Sequence, residues 1–511
     1  MVDRDTEQQI ELDQIQGDII VGLQKEAQIF VGFAVADVTK FKRFLATIRL
    51  TTGRDAFLAE QQIMALRANG GTGLLDIRGV NIAFSAQGLT KLGVPDLDKI
   101  TDKSFLAGLA AQSPKLNDPP EGPGAVKNWL VGNGVGELDG LLIITGRGKT
   151  EVQATLANLD QAAGSGTWIP FYTEIGTTRP GAEHGHEHFG YLDGVSQPAV
   201  RGRIDKVFPV TKFLDPSRNP KDPNQGLPGA DLHWPGEFVF GYAEQDKKDV
   251  ENPLGAKDGG LPWMKNGSFM VFRRLEQLVP EFHATAEAKA EALGGVDANL
   301  LEARMVGRFR SGSPISKKAT DDPALGGDEL QNNDFEFGGS DAQGLKCPFS
   351  AHIRKAYPRN DLTPAAGGKT GDEGEKLSEA DTQTHRIMRR GIPFGPEVGP
   401  AENATAETHH SRGLMFVCYQ TSIRDQFEFI TQNWVNNPNF AIPKAGFDPI
   451  LGQAEGANRQ RVFTGALPNV PSGQPPEVTL EADFIRPTGG GYFFMPSIHA
   501  IQTVLTKQYV A

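Results

Sequence analysis

The sequence contains little cysteine and no long apolar run, and each of these absences excludes a class of protein. Cys347 and Cys418 are the only 2 cysteines. They are too few for a disulfide framework, they form no redox motif, and their apolar neighbours predict buried thiols. The best candidate, residues 140–145, has the length of a buried strand and falls far short of the roughly 18 apolar residues that a membrane span needs. We therefore expect no membrane partner.

Clusters of basic residues are also absent. The 511-residue chain has a formal net charge of −12, whereas phosphate binding relies on clustered Lys and Arg side chains. We therefore expect no nucleic-acid partner, and small neutral or cationic partners suit the charge better. The start of the sequence, Met1 to Glu7, is charged and lacks the apolar segment of a secretory signal. Taken by itself, this start predicts a cytoplasmic protein.

The spacing of apolar residues predicts the same order of elements in both halves of the chain. In the first half it predicts strands at residues 28–35, 79–84, 140–145 and 168–175 and helices at 38–45, 87–92 and 151–162. In the second half it predicts strands at 268–273, 386–390, 414–419 and 491–495 and helices at 275–290 and 423–435. Without the short helix at 87–92, each half has the order β-α-β-β-α-β of the ferredoxin-like motif.

We therefore predict an α+β protein with two ferredoxin-like domains, each an antiparallel sheet with peripheral helices. The first domain spans residues 1–205 and the second spans 236–511. A connection rich in Pro and Asp, residues 206–235, joins them. Long polar insertions at 311–344 and 361–383 interrupt the second domain, and loops of that length are usually functional or disordered.

One acidic residue stands between two glycines near the end of the first domain. Asp193 lies in the segment Gly-Tyr-Leu-Asp-Gly, residues 190–194. Gly190 and Gly194 can adopt backbone conformations closed to other residues and let a flat ligand approach the main chain. This pattern predicts that Asp193 is presented at the rim of a ligand site.

A histidine cluster precedes this segment. His184, His186 and His188 alternate along the chain, so on a strand they would share one face and could bind one metal ion. Flanking glycines argue against a rigid strand. A polar loop rich in histidine is therefore the alternative, in which His188 supports Asp193.

A single histidine among small and apolar residues is the second candidate. His352 follows Ser350 and Ala351, whose small side chains leave space for a macrocycle. A histidine in a tight apolar pocket is what the proximal side of a haem requires. The cation of Arg354 could then contact a haem propionate. A core histidine that binds nothing is the alternative.

Two further segments could contribute to a pocket. Arg389 and Arg390 are adjacent, so on a strand they point to opposite faces, and the inward one needs a negative partner. Leu414 and Phe416 share one face of the predicted strand at 414–419. Either this strand is buried in the core on both faces, or one of its faces forms the wall of a dry pocket.

Taken together, these residues resemble the dye-decolourising peroxidases, most closely the large fungal-type members. The resemblance rests on four motifs in the right order: residues 15–19, the Gly-Tyr-Leu-Asp-Gly segment at 190–194, residues 347–354 and the Arg-Arg-Gly segment at 389–391. It implies two ferredoxin-like domains with one haem b held mainly by the second. It also implies a secreted protein, in contrast to the cytoplasmic interpretation of the N-terminus.

The resemblance assigns roles to the candidate residues. His352 would be the axial iron ligand, Asp193 the distal acid and base, and Arg389 the distal cation. Leu414 and Phe416 would line the distal cavity. Asp448 would accept the N–H of the proximal imidazole, although an Asx turn before Pro449 explains the same residue without a site.

The implied reaction uses hydrogen peroxide to oxidise dyes, phenols and other aromatic donors in one-electron steps through a ferryl porphyrin radical. An aspartate base stays ionised in mildly acidic solution, so we expect an acidic optimum. Bulky donors would need electron transfer through Trp434 or Tyr357. For Trp434 the alternative is helix core, because it continues an apolar stripe through Ile423, Phe427 and Ile430.

An acidic insertion near the proximal segment is a candidate site for a cation such as Mn²⁺. A solvated insertion without a ligand is the alternative. Its acidic residues are Asp361, Asp372, Glu373, Glu375, Glu379 and Asp381. Two rival functions also remain open at this point. A haem carrier or storage protein would need His352 alone, and a non-haem metalloenzyme would use the histidine cluster.

Overall fold

Two antiparallel sheets join along both edges into one closed barrel. The computed structural model describes residues 8–71, 75, 77–134, 138–202, 225–247, 252–256, 260–361 and 379–507. The strands of the first sheet are β1 (Ala27–Val35), β2 (Gly79–Phe84), β3 (Gly140–Gly146) and β4 (Trp168–Thr177). Those of the second sheet are β5 (Ser268–Gln277), β6 (Met388–Arg389), β7 (Ile392–Phe394), β8 (Gly413–Gln420) and β9 (Ile485–Met495).

The strand order of each sheet is that of the ferredoxin-like motif. The first sheet runs β2-β3-β1-β4, and the second runs β9-β5-β8 with β6 and β7 both paired to β8. Phe494 of β9 pairs with Phe84 of β2, and Gly176 of β4 pairs with Phe394 of β7. The predicted α+β class and the two ferredoxin-like units are thus confirmed, and the barrel is an addition that the element order alone did not indicate.

The long helices pack on the outside of the sheets. In the first half they are α1 (Val38–Thr47), α2 (Gly53–Ala68) and α3 (Lys149–Ala163). In the second half they are α4 (Val279–Ala292) and α5 (Ala298–Val306). The short helix α6 (His352–Ala356) and a π-helical segment at Ile423–Glu428 and Ile430–Val435 follow them along the chain. Shorter helices lie at Ala86–Lys91, Lys103–Ala107, Leu109–Gln112, Pro323–Gly326, Glu379–Gln383, Pro400–Thr405 and Ile498–Ala500.

Strand alternation divides the apolar residues between the barrel interior and the helix-covered outside. Phe30 of β1 and Phe272 of β5 stack inside the barrel with ring centroids 5.2 Å apart. Ile29 and Val31, their neighbours on β1, face the helices instead. The same alternation on β8 turns Met415 inward, so Leu414 and Phe416 lie on the outer face of the second sheet.

Three predicted boundaries were wrong. The predicted strand at 386–390 is shortened to β6, with β7 as a separate strand after it, and the predicted strand at 491–495 begins already at Ile485. The third is the start of a helix. The sequence predicted a helix from residue 275, but β5 continues to Gln277 and α4 begins at Val279. Pro280 explains the shift, because proline fits the first turn of a helix and disrupts its interior. Helix α2 was not predicted, although Thr52 and Asp55 form a capping box at its start.

Candidate active site

A deep cavity lies between the outer face of the second sheet, α6 and the π-helical segment. The volume of the cavity is about 280 Å³, far more than the roughly 10–15 Å³ that one water molecule needs. Its wall is mainly apolar and includes Leu414 and Phe416, as the resemblance implied. The polar groups that reach it come from both halves of the chain, among them Asp193, His352, Arg386 and Arg389.

The loop that carries Asp193 is held by its own backbone and by one partly buried acid. Gly190 and Gly194 have φ angles of +93° and +78°, which L side chains rarely adopt, so both glycines are required by the turn. The carboxylate of Glu187 accepts the N–H groups of Phe189 and Tyr191, both at 2.9 Å. Glu187 was not predicted. It fixes the loop that presents Asp193 to the cavity.

Asp193 and Arg389 form an ion pair at one end of the cavity. Arg389 Nη1 donates to Asp193 Oδ1 at 2.9 Å, and Arg389 Nη2 donates to the Ser196 carbonyl at 3.1 Å. The side chains of Arg389 and Asp193 are 32% and 35% accessible, and both line the cavity. Burial acts to raise the pKa of Asp193, but the charge and hydrogen bond of Arg389 and the Gly194 N–H outweigh it and lower that pKa. Asp193 is therefore an ionised carboxylate at neutral and mildly acidic pH.

His352 also lines the cavity and is oriented by Asp448. His352 Nδ1 and Asp448 Oδ2 are 2.7 Å apart, and Asp448 Oδ1 accepts the N–H groups of Ile450 at 2.8 Å and Leu451 at 3.0 Å. Asp448 is fully buried, which acts to raise its pKa, but His352 and these backbone donors lower it. The Asx turn that was the alternative for Asp448 thus exists, and the same carboxylate also contacts the imidazole. Nδ1 is engaged, so Nε2 is the nitrogen left for a metal.

The expectation that Arg354 contacts a haem propionate is wrong. Its side chain is 1% accessible and does not line the cavity. All five of its N–H groups are used by Asp361, by Asp341 and by the Cys347 carbonyl. No donor is left for a haem propionate, and Arg354 instead ties the segment before α6 to the acidic residues around it.

Arg386 offers the charge that Arg354 does not. It lines the cavity, its guanidinium lies 3.5 Å from the ring centroid of Tyr357, and its buried Nε has no hydrogen-bond partner. A guanidinium in the cavity wall with an unused buried donor fits an anionic ligand group. The sequence showed only a basic segment at 386–390 and gave no reason to prefer Arg386.

The histidine cluster does not form a metal site. His184 is exposed and pairs with Glu26 at 3.2 Å, while His188 is buried and its Nε2 contacts the Phe394 carbonyl at 2.8 Å. Within the described part of the chain, no group of three His, Cys, Asp or Glu side chains could hold a metal ion. The support of Asp193 by His188 stays a prediction, and the contact that the structure shows ties the loop of Asp193 to β7.

Neither of the two predicted relay residues lies at the surface. Trp434 is 2% accessible and packs against Phe440 and His385, so its predicted partial exposure is wrong and the helix-core alternative holds. Tyr357 is 8% accessible, lines the cavity, and donates its hydroxyl to Asp231 at 2.9 Å. Its role as a radical site stays a prediction.

Only part of the acidic insertion belongs to the described residues. Asp372, Glu373 and Glu375 lie outside the described residues. Asp361 is buried against Arg354, so its carboxylate is not available to a cation such as Mn²⁺. The predicted domain boundary also stays a prediction, because residues 203–224 of the connection lie outside the described ranges.

Known proteins resemble the chain over nearly its whole length. The family model of the DyP dimeric alpha+beta barrel domain matches residues 14–180, and that of the C-terminal Dyp-type peroxidase domain matches 373–440. The dye-decolorizing peroxidase msp1 of Mycetinis scorodonius is 35% identical, with 97% of this chain and 88% of the relative covered. The chain belongs to the dye-decolorizing peroxidase family. Dye-decolorizing peroxidase AauDyP1 of Auricularia auricula-judae is likewise 35% identical, with 96% of this chain and 86% of the relative covered.

Solved structures agree with this membership. An ancestral D-type dye-decolorizing peroxidase superposes with a TM-score of 0.79 at 36% identity, covering 97% of this chain and 99% of that one. The imidazole complex of the Auricularia auricula-judae enzyme gives a TM-score of 0.76 at 34% identity, covering 97% and 100%. The protein is a haem peroxidase that oxidises dyes and other aromatic compounds with hydrogen peroxide, with one haem b per chain. Among the described helices, none is long and apolar enough to cross a membrane.

The cavity fits this cofactor. Its apolar wall suits a porphyrin, the free nitrogen of His352 suits the iron, and the unpartnered Nε of Arg386 suits a propionate. The alternative of a haem carrier would need His352 but gives no reason for a second, charged pair in the same cavity.

Proposed function

We propose that Asp193 and Arg389 are the catalytic pair of this peroxidase, that His352 would hold the haem iron, and that Asp448 orients His352. The observation that carries the proposal is the 2.9 Å ion pair of Asp193 and Arg389 in the cavity that His352 also lines. Arg386 would bind a propionate. Leu414 and Phe416 belong to the apolar wall of the same cavity and would favour a small molecule such as peroxide beside the pair.

Haem, when bound, supplies the iron that receives peroxide and retains its oxidising power. Asp193 is ionised and lines the cavity, so it would take a proton from one oxygen of bound peroxide and return it to the other oxygen, which would leave as water. Arg389 holds Asp193 in place and offers its guanidinium to the negative charge that develops as the O–O bond breaks. The Asp448 carboxylate accepts the Nδ1–H of His352 and would thereby make the imidazole a stronger donor to a bound iron.

The experiment is stopped-flow absorption of the haem after mixing with peroxide. Asp193→Asn should slow the reaction by about 10²–10⁴-fold, the usual contribution of a general base. Arg389→Leu should slow it by about 10²–10³-fold, as for loss of one preorganised charge-stabilising donor. Both variants should keep the haem absorption of the resting protein, because neither residue holds the cofactor.

Surface ion pairs supply the matched controls. Asp96→Asn removes an aspartate that is 51% accessible and paired with Lys99. Arg424→Leu removes an arginine that is 70% accessible and paired with Asp425. Both controls should react with peroxide at the wild-type rate. Wild-type rates in Asp193→Asn and Arg389→Leu as well would refute the assignment of the pair.

A further inference from the structure

A tyrosine in the wall of the cavity is hydrogen-bonded to a buried acid that leads towards the surface. Tyr191 lines the cavity two residues before Asp193 and is 5% accessible. Its hydroxyl donates to Glu302 Oε2 at 3.2 Å. Glu302, on α5, has a side chain that is 4% accessible. Tyr191 is thus in contact with both the cavity, which it lines, and the carboxylate of Glu302, to which its hydroxyl donates.

The far side of Glu302 is open to solvent through two basic side chains. His283 Nδ1 lies 2.8 Å from Glu302 Oε1, and Arg310 Nη2 donates to Glu302 Oε2 at 2.9 Å. The side chains of His283 and Arg310 are 29% and 47% accessible. Burial alone would raise the pKa of Glu302, but these two partners outweigh it and lower that pKa. Glu302 is therefore an ionised acceptor between the cavity wall and the surface.

The phenol keeps its proton at rest. Burial, followed by the charge of Glu302, raises the pKa of Tyr191 well above its ordinary value. A buried phenol that loses an electron becomes a strong acid, so the electron can leave only if a base takes the proton at the same time. Glu302 is that base, already hydrogen-bonded to the hydroxyl.

We propose that Tyr191 is a redox-active residue of this peroxidase and that Glu302 is its proton acceptor. Tyr191 gives one electron to the oxidising equivalent that peroxide leaves in the cavity, and its phenolic proton moves to Glu302, which leaves a neutral tyrosyl radical. An aromatic donor then returns one electron, and Glu302 returns the proton to the oxygen. The inference rests on the peroxidase function proposed above.

A second tyrosine, carboxylate and arginine group shows what the same contacts look like away from the cavity. Tyr172 donates its hydroxyl to Glu174 at 2.7 Å, and Arg274 binds the same carboxylate at 2.6 Å. Tyr172 packs among the apolar residues of the barrel interior. It therefore serves as the matched control, since it shares the hydrogen bonding of Tyr191 and differs in its place.

The test is freeze-quench electron paramagnetic resonance of the holoenzyme after one equivalent of peroxide, with haem absorption recorded in parallel. The wild type and Tyr172→Phe should give the same tyrosyl signal, and Tyr191→Phe should lose it. Glu302→Gln keeps the phenol but cannot accept its proton, so the signal should appear about 10²-fold more slowly. This second variant also tests the inference if Tyr191→Phe folds poorly.

The outcomes separate the inference from the function on which it rests. A signal that survives in Tyr191→Phe, or one lost only in Tyr357→Phe, would overturn the inference while the haem still responds to peroxide. An unchanged rate in Glu302→Gln would overturn the role of Glu302. No response of the wild-type haem to peroxide would overturn the proposed function and the inference together.

Discussion

Replacing Arg354 with methionine should lower the stability of the protein without a specific effect on haem binding. The guanidinium is 1% accessible, binds Asp341 and Asp361, and lies between the rings of Phe349 and Phe337 at 3.9 and 4.5 Å. Methionine preserves most of the side-chain volume, so the main effect is two buried carboxylates without their cation. Breaking a buried ion pair in this way typically costs about 3–5 kcal/mol.

The expected change in melting temperature follows from the size of the chain. At about 2.1 cal/mol/K per residue, a 511-residue chain that unfolds as one unit has an unfolding entropy of about 1.1 kcal/mol/K. The loss of Arg354 should therefore lower the melting temperature by about 3–5 °C. Arg424→Met is the control, because Arg424 is 70% accessible and an exposed pair contributes less than about 1 kcal/mol.

Differential scanning calorimetry of the haem-bound and haem-free protein distinguishes a structural role of Arg354 from binding of a haem propionate. If Arg354 acts through Asp341 and Asp361, the melting temperature falls by the same amount in both forms. If Arg354 instead bound a propionate, the fall would appear only in the haem-bound form and haem would be released faster. That second result would refute the structural assignment.

Three further predictions concern acid stability, the proximal pair and the cofactor. Hydrogen bonding to Arg412 and to backbone N–H groups lowers the pKa of Glu402 far below its ordinary 4.5. The contribution of Glu402 to the stability of the folded state is therefore full above pH 4.5 and is lost as the pH falls. The difference in melting temperature between the wild type and Glu402→Gln should thus be smaller at pH 3 than at pH 7. An equal difference at the two pH values would contradict this. Asp448→Asn should weaken haem binding by about 10–100-fold in a haem-transfer assay, and unchanged affinity would contradict the role of Asp448. Removal of haem should lower the melting temperature and its return should restore it, because a ligand that binds only the folded state stabilises it.

The sequence predicted the elements better than the contacts between them. Apolar runs with turn residues between them sufficed for the order of the strands, and the glycines around Asp193 sufficed for a turn that presents an acid. The edges that close the barrel were not predictable, since each is a single residue pair, Phe494 with Phe84 and Gly176 with Phe394.

Errors at the site have the same origin. Whether an arginine meets a ligand or an internal acid depends on which carboxylates the fold brings near it. For Arg354 these carboxylates are Asp341 and Asp361, one from each of the two polar insertions, which have no apolar pattern to place them. Tyr191 and Glu302 lie 111 residues apart, and nothing in either segment signals their contact.

The closed barrel makes the two halves of this chain interdependent. The loop with Asp193 comes from the first half, Arg389 and His352 come from the second, and His188 ties that loop to Phe394, the residue at one of the two edges. A chimera of halves from two relatives would thus have to match at the edge strands before its cavity could form. Exchange within one half, away from β2, β4, β7 and β9, is the route by which such a protein can diverge in its donors while it retains its reaction with peroxide.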